Sequence, residues 1–295
     1  MSVATTAQWV EGARLRTLPM AMAPVIAGSA AAAGLEAFHP VRALLALVVA
    51  LLLQVGVNYA NDYSDGIRGT DDARVGPLRL VGSGAASPAA VKRAAFGCFG
   101  AAMVAGLLLV ILSGAWWLLL LGAASVVAAW YYTGGSRPYG YHGLGEVFVF
   151  VFFGLVATLG TTYTQALTLS VPAVVAAIAT GLIATALLMA NNIRDIPTDR
   201  EVGKNTLAVR LGDRAARWTY VGMLAVALLL VLVVAPVHPW LLLVLLLAPV
   251  CVPACRRVLT ATDRAALIPV LKQTGLINLA WSVLFTLGIV LDLAS

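Results

Sequence analysis

The chain has 295 residues, 61% hydrophobic and only 11% charged, with a formal net charge of +6. Soluble globular domains carry about 25% charged residues, so a soluble fold is excluded and the composition predicts an all-α membrane protein, one integral-membrane domain over residues 1–295.

Apolar runs fall near 18–34, 41–58, 94–112, 115–132, 146–165, 171–190, 218–235, 240–255 and 275–291. Each is close to the ~20 residues that span a bilayer as a helix, which predicts about nine transmembrane helices; with the acidic helix ends and the resemblance given below, the expected architecture has them around a central polar cavity open to the cytoplasmic side. Pro19, Pro24, Gly154, Gly160 and Pro172 lie within these runs, as bilayer helices tolerate when neighbours satisfy the freed backbone groups. Arg14 and Arg16 ahead of the first run imitate a signal peptide, but cleavage there would spoil the charge alternation described next. Cys98, Cys251 and Cys255 have no metal-ligand spacing and read as small core residues.

Of the 19 lysines and arginines, all but Arg42 fall on one side when termini and connections are taken alternately. By the positive-inside rule that side is cytoplasmic, which puts the N-terminus inside and the C-terminus outside a bacterial cytoplasmic membrane. The positive charge is therefore topology, not a nucleic-acid footprint.

The run at 41–58 ends in NYANDYSDGIRGTDD (58–72), and the run at 171–190 ends in MANNIRDIPTDREVGKNT (189–206). Asn58, Asp62 and Asp65 are spaced by four and three, Asn191, Asp195 and Asp199 by four and four. Such spacing places side chains on one helix face, about 5–6 Å apart at Cβ. Clustered carboxylates repel, the more so where the dielectric falls, so something positive should bind there. Carboxylate and amide oxygens suit Mg²⁺, which takes one or two carboxylates and adds substrate phosphate oxygens. Two clusters suggest more than one ion clamping a polyanion.

Asn58 and Asn191 sit at the edge of apolar helices, where polar groups usually face the bundle interior and mark function; interhelical hydrogen bonding is the plainer alternative. Asn61 and Asn192 are weaker candidates. Asp71 follows Gly66 and Gly69 in a loop that reaches toward the site, whereas Asp72 reads as solvated. Arg68, Arg74, Arg79, Arg137, Arg200 and Lys204 are interleaved with the acids and suited to phosphate oxygens. For Arg74, Arg93, Arg214, Arg217, Arg256 and Arg257 the positive-inside role suffices. In YYTGGSRPYGYHGLGE (131–146), Tyr131, Tyr132, Tyr139 and Tyr141 read as interfacial aromatics. Arg137 is the site candidate of that segment, with Tyr139 a further possibility, and His142 lacks an identifiable partner.

At these motifs the sequence resembles the UbiA superfamily of intramembrane aromatic prenyltransferases, which carry two Asp-rich motifs on the second and sixth of nine helices. NYANDYSD (58–65) and NNIRDIPTD (191–199) match them. GPLRLVGSG (76–84), the segment 132–165 and WVEGARLRTLPMAMAPV (9–25) look like the branch that prenylates 1,4-dihydroxy-2-naphthoate in menaquinone biosynthesis. The resemblance implies that Asn58, Asp62 and Asp65, with Asp71 downstream, and Asn191, Asp195 and Asp199 hold Mg²⁺ on a polyprenyl diphosphate. It implies Asp62, Asp65, Asp195 and Asp199 as the catalytic acids. Arg137 and Lys204 match basic positions that contact the diphosphate, with Arg68 beside them and Arg14 or Arg16 contributing from the first helix.

Heterolysis of an allylic C–O bond needs its developing negative charge stabilised and the cation shielded from water, and apolar helices also house a prenyl tail. If the acceptor is dihydroxynaphthoate its carboxyl leaves as carbon dioxide, so no lone general base is obligatory. Two alternatives stay open here: a different acceptor such as 4-hydroxybenzoate or homogentisate, and a secondary transporter, whose ion sites usually lie nearer the midplane.

Overall fold

A computed structural model describes residues 4–69 and 78–295. Asp71, Asp72 and Arg74 lie outside the described residues. Among those described, every regular element is helical. In chain order they are α1 (Thr6–Gly12), α2 (Leu18–Ala33), α3 (Pro40–Gly66), α4 (Pro88–Ser113) and α5 (Leu118–Tyr131). These are followed by α6 (Gly145–Ala166), α7 (Val171–Glu201), α8 (Leu207–Leu211), α9 (Asp213–Val233), α10 (Pro239–Thr260) and α11 (Arg264–Ala294).

Local chemistry sets several starts. Ser87 and Ser170 cap α4 and α7, each hydroxyl accepting a backbone N–H at 3.3 Å, with Pro88 and Pro172 in the first turn, where a missing N–H costs nothing. Because α3 and α7 run on past their apolar stretches to Gly66 and Glu201, both acidic segments are helical. That leaves their side chains to make the site.

Seven helices, α3, α4, α6, α7, α9, α10 and α11, are long and apolar enough to cross a membrane, which makes this a multi-pass membrane protein. The expected nine is not reached on that criterion. The run at 115–132 forms a helix of 14 residues and the run at 18–34 one of 16.

Helix α7 is central, with 72% of its most apolar window buried against 17–39% for the other long helices. It packs against α2, α6, α9 and α11, and α3 packs along α4. The larger core joins Ile183, Tyr220, Leu224, Trp281 and Phe285, and a smaller one around α3 and α4 joins Tyr59, Leu80 and Phe99. Leu120, Val233 and Leu246 stand exposed on the outside, as lipid-facing residues do. Buried polar groups are tied across helices: Thr158 to Thr180 at 3.1 Å, and the Trp281 indole N–H to the Ala227 carbonyl at 3.1 Å. Such bonds contribute roughly 0.6 kcal/mol each.

Helix α6 crosses α7 at Gly154 and Gly181 so closely that a Cβ on Gly154 would lie 2.5 Å from the Gly181 Cα. This is the small-residue contact that lets membrane helices approach backbone to backbone. Gly154 lies in a π-helical stretch, Phe150–Val156, a distortion that often marks functional sites. Phe152, Phe153 and Val156 of this stretch line the central cavity.

Candidate active site

A cavity of about 650 Å³ runs between the helices, with a polar end and an apolar remainder. The polar end is made by Arg14, Arg16, Asn58, Asn61, Asp65 and Arg79 on one side and by Asn191, Asn192, Arg194, Lys204 and Lys272 on the other. Tyr132, Thr133 and Tyr139 complete it. The apolar walls come from α3, α4, α5 and α6, including Leu53, Leu107, Leu121, Phe148 and Phe152. Residues of both acidic helices therefore line one chamber.

Within the first segment the side chains separate. Asp65 is on the wall, where its Oδ1 accepts the Tyr141 hydroxyl at 2.9 Å and Arg79 Nη2 lies 4.0 Å from its Oδ2. Asn58 is also on the wall and donates to the Ala13 carbonyl at 2.9 Å and to the Thr17 hydroxyl at 3.1 Å, binding α3 to the chain entering α2. Asn61 accepts from the Thr133 hydroxyl at 2.8 Å. Asp62 is fully buried off the cavity wall, and its carboxylate accepts the N–H groups of Leu80 at 2.8 Å and Val81 at 3.0 Å. It holds the turn that carries Arg79 into the cavity. The expectation that Asp62 and Asp65 point the same way is corrected: three residues span about 300° of an α-helix, and a pair of backbone donors from the Leu80–Val81 turn captures the inner carboxylate.

In the second segment the carboxylates reach the chamber through cations. Asp195 is gripped by both arms of Arg194, Nε to Oδ1 at 2.6 Å and Nη2 to Oδ2 at 2.7 Å, while Arg194 also donates to Asn191 Oδ1 at 2.9 Å. Asp199 is buried 3.6 Å from Lys204 Nζ. Arg194, Asn191 and Lys204 line the cavity, and Asp195 and Asp199 stand behind them.

Other basic candidates divide as well. Arg14 and Arg16 are on the wall, Arg14 in a left-handed conformation at φ 54° that is costly for a side-chain-bearing residue. Arg68 is off the wall, donating to the carbonyls of Thr133 and Gly135 and lying 5.5 Å over the Tyr141 ring. Arg137 is exposed and off the wall, because the turn bearing it projects away from the chamber while Tyr139 points in. Burial pushes the Tyr139 phenol up, keeping it a neutral donor to the Ala128 carbonyl at 2.8 Å.

Three participants escaped sequence reasoning. Lys272 on α11 lines the polar end far from either acidic motif, with no local signal. Arg194 was legible only as the cation inside NNIRD. Tyr141, read as a belt aromatic, bonds Asp65 and lies 5.1 Å under Lys204 Nζ, so it ties the two motifs together. Behind them Asn192 donates to Glu146 Oε1 at 2.8 Å.

The wall thus offers hard oxygen donors, Asp65 with Asn58, Asn61 and Asn191, beside six cations among the described residues. That set fits Mg²⁺ shared with a polyanion. Among the described residues no group of three or more His, Cys, Asp or Glu forms an all-protein metal cage.

A polar, cation-rich chamber opening into an apolar one inside a helical membrane bundle defines an intramembrane site for an amphiphile with an anionic head. The chain belongs to the UbiA prenyltransferase family, whose model matches residues 21–291. It is 54% identical to the 1,4-dihydroxy-2-naphthoate octaprenyltransferase of Mycobacterium tuberculosis over 280 residues, 95% of this chain and 96% of that one. It is 42% identical to the Escherichia coli enzyme of the same name over 299 residues, 98% and 97% of the two chains. Its fold is similar to an apo UbiA homolog from Aeropyrum pernix (TM-score 0.67, 18% identity, 94% and 97% covered). It is also similar to a UbiA homolog from Archaeoglobus fulgidus bound to DMAPP and Mg²⁺ (TM-score 0.64, 13% identity, 96% and 99% covered). Family membership sets the transporter reading aside.

Proposed function

We propose that this protein transfers a polyprenyl group from polyprenyl diphosphate to 1,4-dihydroxy-2-naphthoate in a Mg²⁺-dependent reaction that releases diphosphate and carbon dioxide. The product is the demethylmenaquinone skeleton. The observation that carries the reading is the division of one cavity into a cationic, oxygen-rich end and an apolar channel. Two mycobacterial relatives named 1,4-dihydroxy-2-naphthoate octaprenyltransferase share about half of the sequence across nearly its full length.

In this reading the prenyl tail lies along α3, α4, α5 and α6, and the diphosphate meets Arg14, Arg16, Arg79, Arg194, Lys204 and Lys272. Asp65, Asn58 and Asn191 hold metal from the wall, with Asp62, Asp195 and Asp199 orienting the groups around it and Asp71 as the downstream acid. Mg²⁺, as two ions, supplies Lewis-acid stabilisation of the departing diphosphate. The cations take up the charge that develops as the C–O bond breaks. The apolar walls keep water from the allylic cation until the ring carbon bearing the carboxylate attacks it. As the new C–C bond forms, the electrons of the C–COO⁻ bond return to the ring and carbon dioxide leaves.

The topology proposed with this function has α2–α7 and α9–α11 crossing as nine helices of one domain, the N-terminus and site cytoplasmic and the C-terminus outside a bacterial cytoplasmic membrane. All basic residues except Arg42 support it. Cysteine accessibility labelling at Ser2 and Ser295 in intact cells would test it, with labelling at Ser295 alone expected. The activity is tested by supplying purified protein with a polyprenyl diphosphate, the naphthoate and Mg²⁺, and following prenylated product.

A further inference from the structure

Pro197 stands inside α7, between Asp195 and Asp199. Proline has no N–H, so the carbonyl four residues earlier loses its helical partner. That carbonyl belongs to Ile193, which is fully buried, and an unpartnered buried carbonyl is destabilising. The Ile193 oxygen instead accepts a hydrogen bond from Arg264 Nη1 at 2.8 Å, from the first turn of α11. The same Nη1 is 2.5 Å from Asp213 Oδ1, at the start of α9. Asp213 Oδ2 in turn accepts from Arg217 Nε at 2.7 Å, and Arg217 donates to the Val258 carbonyl in the last turn of α10, another carbonyl without a helical N–H.

We propose that Arg264 is a positioning residue for the second acidic segment, its guanidinium replacing the backbone hydrogen bond that Pro197 removes from α7. The Ile193 carbonyl lies beside Arg194, which grips Asp195 and faces the cavity. Proline tends to kink a helix at this carbonyl, and a fixed outside donor holds the last turn, with Asp199 and the approach to Lys204, at one angle. Asp213 keeps that donor in place. Because Arg264 is not on the cavity wall, its role is separable from direct contact with substrate. The consequence for catalysis rests on the proposed function.

A double-mutant cycle on the full-length protein in detergent tests this, using Arg264→Met, Pro197→Ala and the pair. The Pro197→Ala substitution restores an N–H to the Ile193 carbonyl and should make Arg264 dispensable. Arg264→Met alone should speed hydrogen exchange across residues 195–201 and lower prenyl transfer by about tenfold, the scale on which loss of supporting contacts acts. In the Pro197→Ala background it should change either by less than about twofold. Equal fold-losses in both backgrounds would overturn the proposal. If Arg264→Met does not fold, Asp213→Asn is carried through the same comparison, with the same rescue expected. Wild-type protein inactive toward every acceptor, yet showing background-dependent exchange, would sink the functional reading and leave the Arg264 role standing.

Discussion

Asp62 and Asp65 are three residues apart on α3 yet serve different neighbours: Asp62 accepts the Leu80 and Val81 N–H groups, while Asp65 faces the cavity and accepts the Tyr141 hydroxyl. One acid supports a turn and the other meets the chamber. Asp62→Ala should therefore cost fold stability as well as activity, since it strands the buried Leu80 N–H at roughly 1–3 kcal/mol and the half-buried Val81 N–H beside it. Asp65→Ala should abolish activity with little change in melting temperature. Parallel thermal melts in detergent check this, and an Asp62→Ala protein that melts with wild type would contradict it.

The cations on and off the wall should separate in kinetics. A charged hydrogen bond to phosphate contributes about 1.5–3 kcal/mol, so Arg79→Met and Lys272→Met should each lower kcat/KM for the polyprenyl diphosphate by about 10- to 100-fold. Arg137→Met, exposed and away from the cavity, should stay within about twofold. Steady-state kinetics at saturating naphthoate distinguish the three.

The α6–α7 crossing has no room for a side chain. Gly154→Ala would place a Cβ 2.5 Å from the Gly181 Cα and 2.7 Å from the Ala177 carbonyl, forcing the helices apart. A cost of about 1–3 kcal/mol is expected, with loss of activity, because Phe152 and Phe153 of the same stretch line the cavity. Gly222→Ala on α9, with nothing within 4 Å and away from the cavity, serves as the control and should be silent.

Tyr141→Phe keeps the ring beneath Lys204 and Arg68 and removes the hydroxyl bonded to Asp65. A neutral hydrogen bond contributes about 1 kcal/mol, so the Mg²⁺ concentration for half-maximal rate should shift by several-fold. A metal titration of the two proteins reads it directly.

Much of this was legible in the sequence because bilayer spans and helical spacing are local. The apolar runs coincide with helices, and the repeated Asn and Asp spacing marked the two helices that flank the chamber. Which carboxylate faces it was not legible. The Leu80 and Val81 donors that capture Asp62 come from a turn 18 and 19 residues away in sequence, and Arg194 pairs with its own neighbour. Lys272 and Arg264 were hidden for the same reason: the cavity end that Lys272 lines and the carbonyl that Arg264 meets are assembled only by packing, and a lone basic residue on a helix looks like topology.

The most direct test of the central claim supplies the purified protein with a polyprenyl diphosphate and 1,4-dihydroxy-2-naphthoate, with and without Mg²⁺, and measures pyrophosphate and prenylated product for wild type, Asp65→Ala and Asp195→Ala. The account predicts equal amounts of both products, requiring Mg²⁺ and lost in both variants. Prenylated naphthoate formed equally well without metal, or no prenylated naphthoate from the wild-type protein, would contradict it.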